Sequence, residues 1–183
     1  RSEQQFARMA ITGPAERKAL ASAAHHAVRG RVRSMEELCL MAATREKTKG
    51  VRTSIYEDAL FASFQSSGLD PIAQKAIGPY NCDIAIGSIA VEVFGGHWHW
   101  NGEHLARTEE RFRYIMNSGY DIIVVPFSKS FPFSESSANY LVSYIQELCS
   151  NPPSIRQYRV IWGAGEFISG GRIDDKNISI NPP

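Results

Sequence analysis

The feature that most constrains the fold of this chain is a pair of apolar segments separated by only two residues, Gly87-Ser88. Residues 80–86 and 89–94 are both rich in isoleucine, valine and other apolar residues, which is typical of buried strands. A Gly-Ser loop of two residues suits the tight turn of a β-hairpin. The sequence therefore predicts that these two strands are adjacent and antiparallel.

Pairing across this turn can be counted outward, one residue at a time. It joins Ile86 to Ile89, Ala85 to Ala90 and Ile84 to Val91. The next pair is then Asp83 with Glu92, two like charges that destabilise a ladder when they face each other among apolar neighbours. Such a pair needs a cation or a shared proton. If the register slips by one residue, the two acids separate and are solvated instead.

The simplest cation for two facing carboxylates is Mg²⁺, which prefers hard oxygen ligands, with Mn²⁺ as a substitute. An ion held by Asp83 and Glu92 can polarise a phosphoryl oxygen and lower the pKa of a bound water. Two histidines, His97 and His99, follow at the exit of the second strand. Histidine transfers protons near neutral pH, so both are candidate catalytic residues; aromatic packing in a loop is the alternative.

Helical and extended patterns alternate along the rest of the chain. Helices are expected over residues 14–29, 34–46, 54–65, 103–117 and 134–150, and further strands over 72–76, 120–126, 158–162 and 166–169. This order predicts an α/β (α+β) domain with a mixed sheet. Ser54 and Glu57 form a capping-box pattern at one helix start, which gives Glu57 a structural role on pattern alone.

Charge divides the chain unevenly. Residues 1–50 carry ten Lys or Arg and five Glu, a net charge of +5, whereas the whole chain carries +1. We therefore expect a basic helical arm over 1–50 and a separate body over 51–183. A basic arm indicates a polyanionic partner, although a solvated helical face has the same composition.

Composition also limits the setting. The three cysteines are far apart and form no CxxC motif, which favours a reducing cytoplasm over a disulfide framework. No apolar run approaches the length of a membrane span, and no signal peptide is visible. We expect a cytoplasmic protein of a bacterium or a phage-infected cell, with no membrane partner.

Several spaced motifs resemble one family. These are the stretch from Gln74 to Asp83 (QKAIGPYNCD), the stretch 91–99 (VEVFGGHWH), and Arg111 eight residues before Gly119. Together they resemble the very-short-patch-repair-type endonucleases and related phage homing endonucleases of the PD-(D/E)XK nuclease superfamily. The resemblance covers roughly residues 54–126. It implies a restriction-endonuclease-like α-β-β-β-α-β core.

The resemblance also implies roles at the site. Asp83 would be the metal-binding aspartate of the second core strand, and Glu92 would be the second acid, on the third. His99 would move a proton of the attacking water or leaving group. Glu57 matches an acidic residue of the first core helix, and Arg111 would face the phosphate.

Further residues are assigned to DNA contact. Gln74, Trp98 and Trp100 are candidates in the body, with core packing as the alternative for each tryptophan. The arm more faintly resembles the small helical DNA-binding modules of phage homing endonucleases. It would contact phosphates through its basic residues Arg17, Lys18, Arg29, Arg31 and Arg33.

Two positions depart from the family pattern. The superfamily lysine is replaced by Phe94, as in repair-type relatives that use histidine instead. An aspartate at the start of the second core helix is replaced by Thr108. Glu109 and Glu110 follow, but a helix turns about 100° per residue, so neither is equivalent.

The sequence thus predicts an Mg²⁺-dependent endonuclease that nicks or cuts double-stranded DNA, of a homing or mobile-element kind. One chain suffices for a nick, and a dimer would cut both strands. Two alternatives stay open. One is a weakly active or inactive DNA-binding module of the same fold. The other is a cupin-like metal enzyme that uses His97, His99 and Glu103.

Overall fold

The computed structural model describes residues 13–48, 54–95, 102–127, 134–162, 166–176 and 178. The chain divides into two compact units, Arg1–Ser34 and Met35–Pro183. The described part of the first unit contains one helix, α1 (Pro14–Val28), which begins with a proline and has no buried residue. Its proline fits the first turn because the backbone N–H there has no partner within the helix. No described helix is both long and apolar enough to cross a membrane.

The described part of the second unit contains the other helices and strands. In chain order these are α2 (Met35–Lys47), α3 (Ile55–Ser66), β1 (Ile72–Ile77), β2 (Tyr80–Ile86), β3 (Ile89–Gly95), α4 (Gly102–Asn117), β4 (Asp121–Phe127), α5 (Glu135–Ser150), β5 (Gln157–Trp162) and β6 (Glu166–Arg172). The six strands form one sheet in sequence order, from β1 to β6.

The sheet is mixed. The pairs β1–β2, β2–β3 and β5–β6 are antiparallel, whereas β3–β4 and β4–β5 are parallel. The helices α4 and α5 make the two parallel crossovers. The predicted α+β class, with its α-β-β-β-α-β order and mixed sheet, is confirmed.

This architecture excludes the cupin-like alternative. A cupin needs many short antiparallel strands that form a double-sheet jelly roll. Here two of the five strand pairings are parallel, and Glu103 belongs to helix α4 (Gly102–Asn117). The His-x-His spacing before Glu103 misled that interpretation because the spacing alone does not distinguish a strand from a helix start.

The β2–β3 hairpin has the predicted register. Ile86 pairs with Ile89, Ala85 with Ala90 and Ile84 with Val91. Gly87 has φ +55°, which the two-residue turn requires and which glycine adopts without strain. The next residues outward in this register are Asp83 and Glu92, so the hairpin directs both acids to one place.

Apolar side chains cover both faces of the sheet. On one face, Leu60 and Phe64 of α3 pack with Leu141 and Ile145 of α5. These residues recur every four positions, which places them on one side of each helix. On the other face, the core includes a cluster from α4, namely Phe112, Ile115 and Met116. Helices α3 and α4 therefore approach the sheet from opposite sides, and both reach β2.

Helix α2 is attached to the sheet edge. Glu46 accepts hydrogen bonds from Lys75 Nζ at 2.9 Å and from the backbone N–H of Ala76 at 2.8 Å. Asn81 donates to the carbonyl of Ala42 at 2.9 Å. The sequence set the end of the arm at residue 50, whereas α2 packs with the unit that begins at Met35. The division into a DNA-binding arm and a catalytic domain stays a prediction.

Candidate active site

A cleft of about 420 Å³ opens on the carboxylates of the β2–β3 hairpin. Its charged and amide-bearing lining residues are Arg45, Glu57, Gln74, Asn81, Asp83, Glu92 and Arg111. They come from α2, α3, the first three strands and α4, so the fold brings together residues that are far apart in sequence. The predicted site residues Glu57, Asp83, Glu92 and Arg111 all lie here.

Glu57 belongs to the first turn of α3 and serves two neighbours. Its Oε1 accepts from the backbone N–H of Ser54 at 3.0 Å, and Ser54 Oγ accepts from the N–H of Glu57 at 3.1 Å. This reciprocal pair is the predicted capping box, which is confirmed. Its Oε2 accepts from Gln74 Nε2 at 3.2 Å. The cap thus fixes the carboxylate of Glu57 at the cleft.

Asp83 is held by the neighbouring strand. Its Oδ2 accepts from the backbone N–H of Val93 at 2.8 Å. Burial, followed by the nearby charge of Glu57, raises the pKa of Asp83 to about 6, against opposing hydrogen bonds from Val93 and Gln74 and the charge of Arg111. A cation beside Asp83 would relieve this cost of ionisation.

Glu92 is paired with Arg111. The side chain of Glu92 is fully buried, and its Oε1 and Oε2 accept from Arg111 Nη2 at 2.6 and 2.8 Å. The same nitrogen donates to the carbonyl of Asn81 at 2.7 Å. Burial raises the pKa of Glu92, and the guanidinium of Arg111 opposes that rise. Contacts from one guanidinium to both oxygens match an ionised carboxylate.

These bonds give Arg111 a different setting from the one expected. The sequence assigned it to face a phosphate, but its Nη2 is occupied by Glu92 and Asn81. Its guanidinium also lies 5.9 Å from the centre of the Tyr80 ring. Its Nε is buried and has no hydrogen-bond partner among the described residues. Arg111 is therefore first of all the counterion of Glu92.

Sequence reasoning missed two features of the cleft. Gln74, which was assigned to DNA contact, is 5% exposed and has φ +51°, a conformation that non-glycine residues rarely adopt. Arg45 is an exposed residue of α2 that lines the cleft. The only signal for Arg45 was the positive charge of the arm, and nothing in the sequence pattern indicates the backbone of Gln74.

Among the described side chains of helix α4, neither Glu109 nor Glu110 lines the cleft in place of an acid at Thr108. Glu109 forms an ion pair with Arg113 at 3.0 Å, and Arg113 also donates to the carbonyl of Ile173. Glu109 is thus engaged with Arg113, which in turn bonds to the segment after β6. Glu110 is exposed; burial, and after it the charge of Glu110, raises the pKa of Tyr80, a residue of the cleft.

The other predicted site residues lie outside the described residues or belong to the first unit. His97, Trp98, His99 and Trp100 lie outside the described residues, as does the side chain of Glu103. Five basic residues belong to the first unit and are exposed: Arg17, Lys18, Arg29, Arg31 and Arg33. Their predicted contacts with DNA stay predictions.

The carboxylates of the cleft provide some, but not all, of the ligands that a hard divalent cation takes. Within the described ranges, no group of three or more His, Cys, Asp or Glu side chains is arranged to hold a metal ion. The charge of Glu57 acts on Asp83, and both carboxylates line the same cleft. Carboxylate oxygens are the ligands that Mg²⁺ prefers, and it commonly keeps several waters with only one or two carboxylates.

Comparisons with known proteins give only distant likenesses, to solved structures. No protein-family model and no curated protein matches the chain. One similar solved structure is the catalytic domain of the homing endonuclease I-Bth0305I. It is 12% identical and has a TM-score of 0.42, and the match covers 55% of this chain and 100% of that one.

Proposed function

We propose that this protein is a metal-dependent endonuclease that hydrolyses phosphodiester bonds of double-stranded DNA. The observation that supports this most strongly is the charge of the cleft. Glu57, Asp83 and Glu92 meet there, and Arg111 is bonded to Glu92. The burial of Asp83 beside Glu57 leaves a site that a divalent cation would stabilise.

In this proposal Asp83 and Glu57 hold the metal ion. The sequence favoured Asp83 with Glu92, but both oxygens of Glu92 accept from Arg111. Glu92 is buried and its charge is already neutralised by Arg111, whereas Glu57 is only partly buried and accepts from neutral donors, so Glu57 is the better second ligand. A bound Mg²⁺ would supply Lewis-acid polarisation of the phosphate and a more acidic water. The Glu92–Arg111 pair fixes β3 against α4 behind that site.

Two further residues complete the proposed machinery. Arg45 is exposed at the cleft, so its guanidinium is suited to stabilise charge on a phosphate, the role first predicted for Arg111. His99, with His97 beside it, is proposed to move the proton, as the family resemblance implies. The basic residues of the arm would bind the DNA backbone without reading sequence.

The direct test is cleavage of supercoiled plasmid by the full chain with Mg²⁺, Mn²⁺ and Ca²⁺, with the ends mapped by sequencing. We expect nicked or linear product with Mg²⁺ or Mn²⁺ and none with EDTA. Asp83→Asn and Glu57→Gln should both abolish cleavage. Glu109→Gln is the matched control. Because Glu109 is engaged with Arg113, this variant should cleave like wild type. Intact plasmid with every metal would refute the proposal.

A second candidate is a DNA-binding module of the same fold that does not cleave. Two observations favour it: the described residues contain no three-ligand metal cluster, and Thr108 stands where repair-type relatives have an acid. A module of this kind would bind DNA equally well with and without metal. Its affinity would not change in Asp83→Asn, which separates it from the enzyme.

A further inference from the structure

The backbone of Gln74 is strained. Gln74 is the one non-glycine residue of the described chain with a positive φ, +51°, and it lies within strand β1. Its neighbours Ala73 and Lys75 pair with β2 in a continuous register, so no inserted residue accounts for the conformation. A left-handed conformation is unfavourable for a residue with a Cβ, because the Cβ comes too close to the following carbonyl oxygen. Strain of this kind persists where surrounding contacts impose it, and it clusters at functional sites.

The carbonyl of Gln74 is tied to the same framework as the cleft. Asn81 Nδ2 donates to this carbonyl at 2.8 Å and to the carbonyl of Ala42 at 2.9 Å. The carbonyl of Asn81 accepts from Arg111 at 2.7 Å. The unusual backbone is thus held by a residue that also contacts α2 and the counterion of Glu92.

The side chain of Gln74 lies buried at the cleft. It is 5% exposed, and its Nε2 donates to Glu57 Oε2 at 3.2 Å. In the β1–β2 ladder Gln74 lies opposite Asp83, because Ala73 pairs with Ile84 and Lys75 with Cys82, and the Gln74 side chain acts to lower the pKa of Asp83 against the larger effect of burial. An amide NH₂ group carries two hydrogens, so one group can serve two carboxylates. A buried amide between two acids orients both of them without adding charge.

We propose that Gln74 is a positioning residue, whose strained backbone sets its amide between Glu57 and Asp83 so that both carboxylates face a divalent cation in the cleft. This inference rests on the proposed function, because it names what orients the metal-binding carboxylates. It also replaces the role in DNA contact that the sequence gave to Gln74. A residue this buried is better suited to holding carboxylates than to reaching a duplex.

The test measures Mn²⁺ and Mg²⁺ affinity by calorimetry, and thermal unfolding without metal, on the full chain. Gln74→Gly removes the amide but accepts the left-handed backbone. We expect affinity about ten-fold weaker or more, the usual range for partners that orient metal ligands, with a metal-free Tm equal to or above that of wild type. Ala73→Gly adds the same backbone freedom one residue away and should bind metal like wild type.

Gln74→Asn is a second variant that tests the inference if Gln74→Gly does not fold. Asparagine tolerates positive φ and keeps an amide, but it is one methylene shorter, so it should also weaken metal binding. Metal affinity within two-fold of wild type, in whichever of the two variants folds, would overturn the inference alone. A wild-type protein that neither binds a divalent cation nor cleaves DNA would overturn the proposed function and this inference with it.

Discussion

Two buried arginine–carboxylate pairs lie on neighbouring strands of the sheet, and they differ in their surroundings. Glu92 in the middle of β3 pairs with Arg111, and Asp121 at the start of β4 pairs with Arg156. The side chains of Glu92 and Asp121 are 2% and 3% exposed, and both arginine side chains are 28% exposed. In burial and composition the two pairs are therefore closely matched.

The difference lies in the charge around each pair. Asp121 accepts from Arg156 on Oδ2 at 2.5 Å and from the backbone N–H of Gln157 on Oδ1 at 2.9 Å. The pKa of Asp121 responds to its burial, Gln157 and Arg156. The pKa of Glu92 responds also to two further carboxylates, Asp83 and Glu57. A balanced pair joins two strands, whereas an acidic surplus beside such a pair indicates a site for a cation.

The largest expected contrast comes from neutralising one acid at each place. Asp83→Asn should reduce plasmid cleavage about 100-fold or more, because it removes a proposed metal ligand. Loss of a residue that only orients a metal ligand already costs about 10–100-fold in affinity or activity. It should also raise the Tm of the metal-free protein, because it removes a buried charge beside Glu57. Asp121→Asn should cleave like wild type at low temperature but lose about 3 kcal/mol of stability. Cleavage assays and thermal unfolding of both variants measure this.

The opposite results would contradict the proposed difference between the two pairs. If Asp83→Asn cleaves normally, or if Asp121→Asn is as stable as wild type but inactive, the two pairs do not have the separate roles described above. The amide in each variant can still accept the backbone N–H that the acid accepts, so geometry is preserved as far as the chain allows.

Removal of each arginine should give a smaller difference between the two pairs, which lies in how far Mg²⁺ restores the stability of each variant. Arg111→Met and Arg156→Met each leave a buried carboxylate without its cation, at a cost of about 3–5 kcal/mol. Arg111→Met should be the less stable variant, because Asp83 and Glu57 remain beside Glu92. Saturating Mg²⁺ should restore part of that loss, whereas Arg156→Met should gain no more from Mg²⁺ than wild type does. Equal responses to Mg²⁺ would argue against a metal site near Glu92.

The smallest effect concerns pH. The pKa of Asp83 is raised to about 6 from an ordinary value of 3.8, primarily by burial. The folded protein then binds this proton more tightly than the unfolded chain, so the contribution of Asp83 to stability falls as pH rises from about 4 through 6. A metal ion competes with the proton. The rise in Tm caused by Mg²⁺ should therefore grow from pH 5 to pH 7.5.

In Asp83→Asn this pH-dependent part of the Mg²⁺ response should disappear, whereas Asp121→Asn should retain it. Thermal unfolding at several pH values, with Mg²⁺ or EDTA, makes the comparison. A response to Mg²⁺ that is flat across this range in wild type would show that Asp83 is not in competition with the metal.

The fold was predictable from local patterns. The two-residue turn at Gly87-Ser88 fixes the hairpin register, since a shift of one residue would move every side chain of a strand to the opposite face of the sheet. The amphipathic spacing of α3 and the Ser54–Glu57 box likewise depend on neighbours in sequence. Such features place Asp83 and Glu92 together without any knowledge of the helices that pack on them.

The details of the site were less predictable because they depend on distant elements. Arg111 meets Glu92 only through the packing of α4, and Arg45 reaches the cleft only because α2 is attached to β1 by Glu46. The conformation of Gln74 reflects contacts with Asn81 and Glu57. The histidines predicted to transfer protons lie outside the described residues, and their role stays a prediction.

The most direct measurement of the central claim is a calorimetric titration of the full chain with Mn²⁺, in parallel with Asp83→Asn and Asp121→Asn. We predict one bound ion per chain for wild type and for Asp121→Asn, and no measurable binding for Asp83→Asn. No binding by wild type, or equal binding by all three proteins, would contradict a metal site at the acidic end of the β2–β3 hairpin.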